Sequence, residues 1–325
     1  MKRGVGLSHR RRRRGFLPVV AATAVIATAL AAATTSTVGA VGAPASDFDG
    51  DGFADLVLAV PGEDLGGSID AGALTIVYGD RTGVNVNDSQ TISQAGTVEG
   101  ANEPGDHFGR AFATGDINGD GRSDLVVGAP NEAVGSVEAA GAITVLYGSP
   151  SGLRKTGTHA FSQRDGIAGA VETGDRFGSA IAVGDFDRDG FADVAVGAPG
   201  EDQSSIVDAG AVNVLYGSPS GLRAAGNDIF SEANVAGTAE RDDRFGAALA
   251  VGDFDGDGFD DLAVGVPGED IDGQADAGGV TMLYGGPRGI TGAGSRAFSQ
   301  AGAVKGAPKG GDRFAAALAA GDFDG

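Results

Sequence analysis

Along this chain, short apolar runs alternate in side-chain size rather than in polarity. In "GSAIAVGDFDRDGFADVAVGAP", Ile181 and Val183 project to one side and Ala180 and Ala182 to the other. Val194 and Val196 likewise oppose Ala195 and Gly197. Period-two alternation over such short runs marks β-strands. Because both faces are apolar, one bulky and one small, the pattern predicts a sheet sandwiched between similar sheets, not one with a face in water. "GSAIAVGD" leads into an aspartate-rich turn and "DVAVGAP" leads out of it. "AVNVLYG" follows the loop "GEDQSSIVDAG", and after the turn "SPSGL" a weaker strand is predicted near "NDIFSEANVAG".

The unit recurs. Aspartate-rich nonapeptides start at Asp47, Asp116, Asp185 and Asp253, and a shortened fifth copy starts at Asp322, at spacings of 69, 69, 68 and 69 residues. Four short strands per period, with 59 glycines in 325 residues to serve many tight turns, predict an all-β fold: a β-propeller of four-stranded blades, about four of them present. A β-helix needs much shorter coils.

In "DFDRDGFAD" the acids occupy positions 1, 3, 5 and 9, and Gly190 occupies position 6. Alternate side chains of a tight loop can converge on one hard cation, and the glycine permits the sharp turn. The backbone carbonyl of Phe191, at position 7, can complete an oxygen shell suited to Ca²⁺. Without a cation, carboxylates this close repel one another. An EF-hand is excluded, because position 12, where that motif needs Glu, is Leu58, Val127, Val196 or Val264 inside an alternating strand. The loop is a hairpin turn, and no helix-opening switch is expected.

Flanking motifs make a resemblance specific. "FG" precedes and "GAP" follows the loop as Phe108-Gly109 with Gly128-Ala129-Pro130, and as Phe177-Gly178 with Gly197-Ala198-Pro199. Phe245-Gly246 with Gly265-Val266-Pro267 is a near copy. With the DxD/NxDGxxD loop, this resembles the FG-GAP repeat of integrin alpha-subunit N-terminal regions, over residues 46–325. The resemblance implies a β-propeller, seven-bladed in the integrins, with calcium in hairpin loops on one rim and a protein or glycan partner on the other. It implies as ligands Asp47, Asp49, Asp51 and Asp55; Asp116, Asn118, Asp120 and Asp124; Asp185, Asp187, Asp189 and Asp193; and Asp253, Asp255, Asp257 and Asp261. Phe53, Arg122, Phe191 and Phe259 would add carbonyls, and the shortened copy would offer Asp322 and Asp324. Departures are a first copy without FG, a fifth with Phe314-Ala315, and no inserted metal-dependent adhesion domain, so integrin ligands and signalling are not transferred.

Residues 1–45 read as a signal peptide. Lys2, Arg3 and Arg10–Arg14 precede an apolar stretch, and small-residue cleavage sites end at Ala40 and Ala45. A single membrane anchor is the competing reading, disfavoured because alanine-rich segments insert poorly. Arg13-Arg14-Gly15-Phe16-Leu17 also fits a twin-arginine core, so the expected route out is Sec or twin-arginine. Cleavage removes seven basic residues and no acidic ones, leaving 16 Lys and Arg against 44 Asp and Glu, a formal charge of −28. So acidic a surface disfavours nucleic acid and anionic lipid and favours divalent cations. There is no cysteine, and bound metal can replace disulfides in stabilising an exported chain.

If the strands of a blade run up and down, the aspartate turns share one rim. The loops "GEDLGGSIDAG", "NEAVGSVEAAG", "GEDQSSIVDAG" and "GEDIDGQADAG" share the other. Their acids, Glu63, Asp64, Asp70, Glu201, Asp202, Asp208, Glu269, Asp270 and Asp276 among them, form either an acidic binding rim or simple turn chemistry.

Catalytic chemistry is scarce. After processing only His107 and His159 remain, at unlike places in their repeats, and no thiol exists. "GSPSG" has proline where a nucleophile elbow needs serine, so it reads as a turn. Paired carboxylates recur in every blade, whereas an active site is normally single. The expectation is a secreted calcium-binding adhesion or interaction module, not an enzyme. The alternative is a non-catalytic module of a secreted hydrolase or lyase whose catalytic domain lies beyond Gly325. A seven-bladed ring at this period needs roughly 480 residues, so a longer chain is expected. A closed four-bladed ring, completed by "RFAAALAAGD", is the remaining option.

Overall fold

The computed structural model describes residues 46–322 except 95–97, 99 and 303. The expected signal peptide and Asp324 lie outside the described residues. Fifteen strands form four antiparallel meanders. The first sheet holds β1 (Leu56–Val60), β2 (Ala73–Asp80) and β3 (Gly83–Ile92). The second holds β4 (Phe112–Gly115), β5 (Asp124–Ala129), β6 (Ala142–Leu146) and β7 (His159–Phe161). The third holds β8 (Ala180–Gly184), β9 (Asp193–Ala198), β10 (Ala211–Tyr216) and β11 (Arg223–Phe230). The fourth holds β12 (Ala248–Gly252), β13 (Asp261–Val266), β14 (Gly279–Tyr284) and β15 (Thr291–Phe298). Each four-stranded sheet runs in chain order from inner to outer strand, as propeller blades do.

The size alternation decides how blades stack. Ile181 and Val183 of β8, with Val194, Val196 and Ala198 of β9, pack against Ile143, Val145 and Tyr147 of the second blade. The small face, Ala182 and Ala195, joins Val212 and Val214 of β10 in packing against Leu262, Val264 and Val266 of the fourth. The bulky side of the inner strands thus always faces the preceding blade. Each buried Val or Leu gives ~1.5–3 kcal/mol, so these seams dominate the stability of the array. In β1 the equivalent residues Leu56, Leu58 and Val60 are 42, 46 and 47% exposed.

The FG and GAP motifs are two halves of one seam. Within a blade Gly178 N–H donates to Gly197 O at 3.0 Å. Between blades, the GAP glycine lies under the carbonyl of the next FG glycine. A Cβ on Gly128 would sit 2.1 Å from Gly178 O, and one on Gly197 would sit 2.1 Å from Gly246 O, where nothing larger than hydrogen fits. Phe108, Phe177 and Phe245 are fully buried. Their N–H groups donate to Ala71, Ala140 and Ala209 of the preceding blade.

Two expectations shift. The outer strand β11 begins at Arg223, before "NDIF", and its pairing with β10 slips between Val214 and Tyr216. Residues 231–237 turn instead of extending, because Asn234 Oδ1 takes the Ser231 N–H at 2.9 Å. Residues 313–322 form no strand, and β1 pairs only with β2. The first strand of each four-stranded blade is held by the second strand of that same blade, and 313–322 has no such ladder. The described residues therefore do not form the closed four-bladed ring.

Candidate metal centres

Each aspartate loop is the hairpin turn between the first two strands of its blade, or leads into β1 in the first copy. The position-1 carboxylate folds the loop around itself. Asp47 Oδ1 accepts the N–H groups of Gly50 at 2.7 Å and Asp51 at 3.1 Å, and its Oδ2 accepts that of Gly52 at 2.9 Å. Asp116, Asp185 and Asp253 likewise accept the N–H groups of positions 5 and 6. Position 3 accepts the N–H of position 5, at 3.1 Å for Asp49 and for Asp187, 2.9 Å for Asn118 and 3.2 Å for Asp255. These are Asx turns, in which a short side chain replaces a backbone acceptor.

Position 9 ties the loop to the blade. Asp193 Oδ2 accepts the Phe186 N–H at 3.0 Å, while Oδ1 accepts the Gly217 N–H at 2.9 Å, just past β10. Asp55, Asp124 and Asp261 make the same two bonds, to Phe48 and Gly79, Ile117 and Gly148, and Phe254 and Gly285. Each carboxylate oxygen keeps a second lone pair for a cation.

The structure brings positions 1, 3 and 9 together. Oxygens of Asp47, Asp49 and Asp55 lie within 4.8 Å of one another, as do those of Asp185, Asp187 and Asp193, and of Asp253, Asp255 and Asp261. Position 5 stays outside these groups: Asp51, Asp120, Asp189 and Asp257 accept the N–H of position 7. Two position-7 side chains reach the neighbouring loop, Phe191 over Gly119 and Arg122 over Gly50. In the second copy Asn118 replaces an aspartate, and Asp120 meets Arg122 at 3.6 Å and Arg154 at 4.0 Å. Asp322 is exposed.

Burial drives the electrostatics. It pushes the Asp55 carboxyl up to about 6, Asp124 to about 7 and Asp193 to about 8, with neighbouring loop carboxylates adding to the rise and backbone N–H donors opposing it. Asp49, Asp116, Asp185, Asp187 and Asp261 rise for the same first cause. An all-oxygen donor set with uncompensated negative charge fits a hard divalent cation.

The opposite rim behaves differently from a free acidic surface. Asp64, Asp202 and Asp270 each accept an N–H within their own loop, from Asp70, Asp208 and Asp276 at 2.9–3.0 Å. Glu201 is buried and accepts Gln163 Nε2 of the preceding blade at 2.6 Å, as Glu132 accepts Gln94 Nε2 at 2.6 Å. Asp106 and Asp175, before the FG phenylalanines, are buried beside them. This inter-blade joint escaped the sequence reading, although Gln94 and Gln163, Asp106 and Asp175, and Glu132 and Glu201 all recur at the 69-residue period. His107 takes a left-handed turn like Arg176 and Arg244 at its equivalent positions, which makes it a strand-leading residue.

Stacked four-stranded meanders with a carboxylate-rich turn on one rim define a β-propeller repeat protein. Its repeats are of the FG-GAP type: the FG-GAP repeat profile matches residues 38–77, 108–146, 177–215 and 245–283, and the chain is an FG-GAP repeat protein with integrin alpha-like blades. It is 36% identical over 163 residues to phosphatidylinositol-glycan-specific phospholipase D of Rattus norvegicus, covering 49% of this chain and 18% of that protein. It is 33% identical over 235 residues to integrin alpha pat-2 of Caenorhabditis briggsae, covering 67% and 17%. The chain thus spans less than a fifth of these relatives' length. Among solved structures, a Bacillus licheniformis rhamnogalacturonan lyase is similar at a TM-score of 0.40 and 15% identity, over 68% of this chain and 39% of that one. That likeness is too slight to bear on function.

Proposed function

We propose that this chain is a secreted, calcium-stabilised propeller module for adhesion or for protein or glycan interaction, and not itself an enzyme. The observation that carries the reading is the convergence of three carboxylates in three loops, with the bonds of each ninth-position aspartate running into its blade. Calcium at Asp47, Asp49 and Asp55, and at the equivalent residues of the other copies, would cancel that repulsion and hold the turn to the sheet. Its role here is structural, because the same three-carboxylate cage recurs in three of the four loops.

The exposure of Ile69, at the tip of the first loop on the rim opposite the aspartate loops, supports a partner on that rim. Among the described residues no helix is long and apolar enough to cross a membrane. The similarity to a phospholipase D supports a second reading, a non-catalytic module within a larger exoenzyme. The test is to probe arrays of glycans and extracellular proteins with the purified chain, in calcium and in EDTA. Calcium-dependent capture that Ile69→Lys abolishes, without lowering the melting temperature, supports the placement. No effect of EDTA on either stability or capture would sink the calcium reading.

A further inference from the structure

The joint between the third and fourth blades departs from the other two. At the position of Gln94 and Gln163 it carries Glu232, facing Asp243 and Glu269, which correspond to Asp106 and Glu132, and to Asp175 and Glu201. In the first two joints the neutral amide donates to the glutamate at 2.6 Å. In the third that donor is gone, and oxygens of Glu232, Asp243 and Glu269 lie within 4.8 Å of one another.

Two of the three groups are enclosed, and Glu269 is half-buried. Glu232 is 7% exposed and Asp243 fully buried. Asp243 Oδ2 accepts the Glu240 N–H, but Asp243 Oδ1, Glu232 Oε2 and Glu269 Oε2 have no hydrogen-bond partner. An unpartnered Oδ1 also occurs at Asp175, so the two glutamate oxygens are what distinguish this joint. Among the described residues, no arginine, lysine or histidine forms an ion pair with any of the three. A cavity of about 80 Å³ adjoins Glu232 and Glu269, with Val266, Val280, Thr281 and Phe298 among its other walls. It has room for a cation with water beside it.

We propose that Glu232, Asp243 and Glu269 form a further divalent-cation site, bridging the third and fourth blades on the rim opposite the aspartate loops. The cation takes the place of the amide protons that Gln94 and Gln163 supply in the other joints. Oxygen-only donors select a hard ion such as Ca²⁺ or Mn²⁺ rather than zinc. Glu232 lies in the turn after the outer strand of one blade, Asp243 lies in the connection to the next, and Glu269 follows that blade's second strand. The ion would therefore tie two blades together, whereas each loop cage lies within one blade.

Glu232→Gln rebuilds the joint that the chain already uses twice, so it should fold. The experiment is equilibrium dialysis against Mn²⁺ and against Ca²⁺, with the bound metal counted by elemental analysis in wild type, E232Q, E269Q and D187N. D187N, in a loop cage, calibrates the count. The expected result is one equivalent less in E232Q and in E269Q than in wild type. Equal counts in wild type, E232Q and E269Q would overturn the proposal, and would leave a carboxylic acid at Glu232 in the role of the amide. A deficit in E232Q and E269Q with none in D187N would uphold this site and count against the loop cages instead.

Discussion

The hydroxyl of Tyr147 accepts the backbone N–H of Leu222, 75 residues further on, at 3.1 Å. Tyr78 and Leu153 repeat the bond at 2.9 Å. Tyr147 directly follows β6 of one blade, and the leucine closes the "GSPSGL" turn of the next. Gly221, before that leucine, has φ +93°, and a Cβ on it would lie 2.1 Å from the Tyr147 Oη. The serine-rich turn that superficially resembles a nucleophile elbow is therefore a docking point for a tyrosine.

Replacing either partner should loosen that seam by different amounts. Tyr147→Phe loses one buried hydrogen bond and should cost about 1 kcal/mol. Gly221→Ala adds a left-handed penalty of about 1–2 kcal/mol and a clash, so it should cost more. Urea unfolding of both variants checks the order, and a milder Gly221→Ala would contradict it.

Calcium removal should act unequally on the four loops. The second copy has Asn118 and places Arg122 and Arg154 near Asp120, so it carries less uncompensated negative charge than the third. Asp124→Asn should therefore remove less of the calcium-dependent rise in melting temperature than Asp193→Asn. Melting each variant with calcium and with EDTA gives the comparison.

The acid joints give a pH dependence whose sign is fixed. Burial first pushes Asp106 up to about 6, and Glu132 and Asp175 up to about 7. The folded chain then holds protons that the unfolded chain has released, so stability is fully present below about pH 4 and is lost as pH rises through about 6 to 7. In EDTA the raised Asp124 and Asp193 act in the same direction. The melting temperature in EDTA should fall from pH 5 to pH 8, and Glu132→Gln should flatten the fall. With calcium, the cation must displace those protons, so apparent affinity should rise over the same interval.

Position 4 of the aspartate loop is left-handed in the four full copies: Gly50, Gly119 and Gly256 at φ +70 to +79°, and Arg188 at φ +60°. Arg188→Gly should raise stability by about 1 kcal/mol by relieving the Cβ. Unchanged or lowered stability would mean that the guanidinium, which lies over Gly258, contributes more than the strain costs.

Most of a single blade was legible in the sequence. Period-two alternation located the three inner strands, and the spacing of the aspartates located the cages, because both are local. Legibility failed where the cause is another blade. Why GAP needs its glycine depends on the FG carbonyl of the next repeat. Why Glu201 is buried depends on Gln163, 38 residues away. The start of β11 depends on a pairing slip against β10 that no propensity records. The turn inside the loop is equally hidden: the Asp189 Oδ1 accepts the Phe191 N–H at 3.0 Å, a bond that the spacing of the aspartates does not reveal.

The fixed orientation of the size alternation gives the array a polarity. One side of every blade is built to be followed and the other to follow, so two identical blades meet head to tail and never face to face. Cooperativity between neighbours passes through the same few atoms at each step. A whole period can therefore be inserted or removed without inventing a new contact, while a partial period leaves two unlike surfaces to meet. The one seam with its own chemistry, at Glu232, is where such interchange would be felt first.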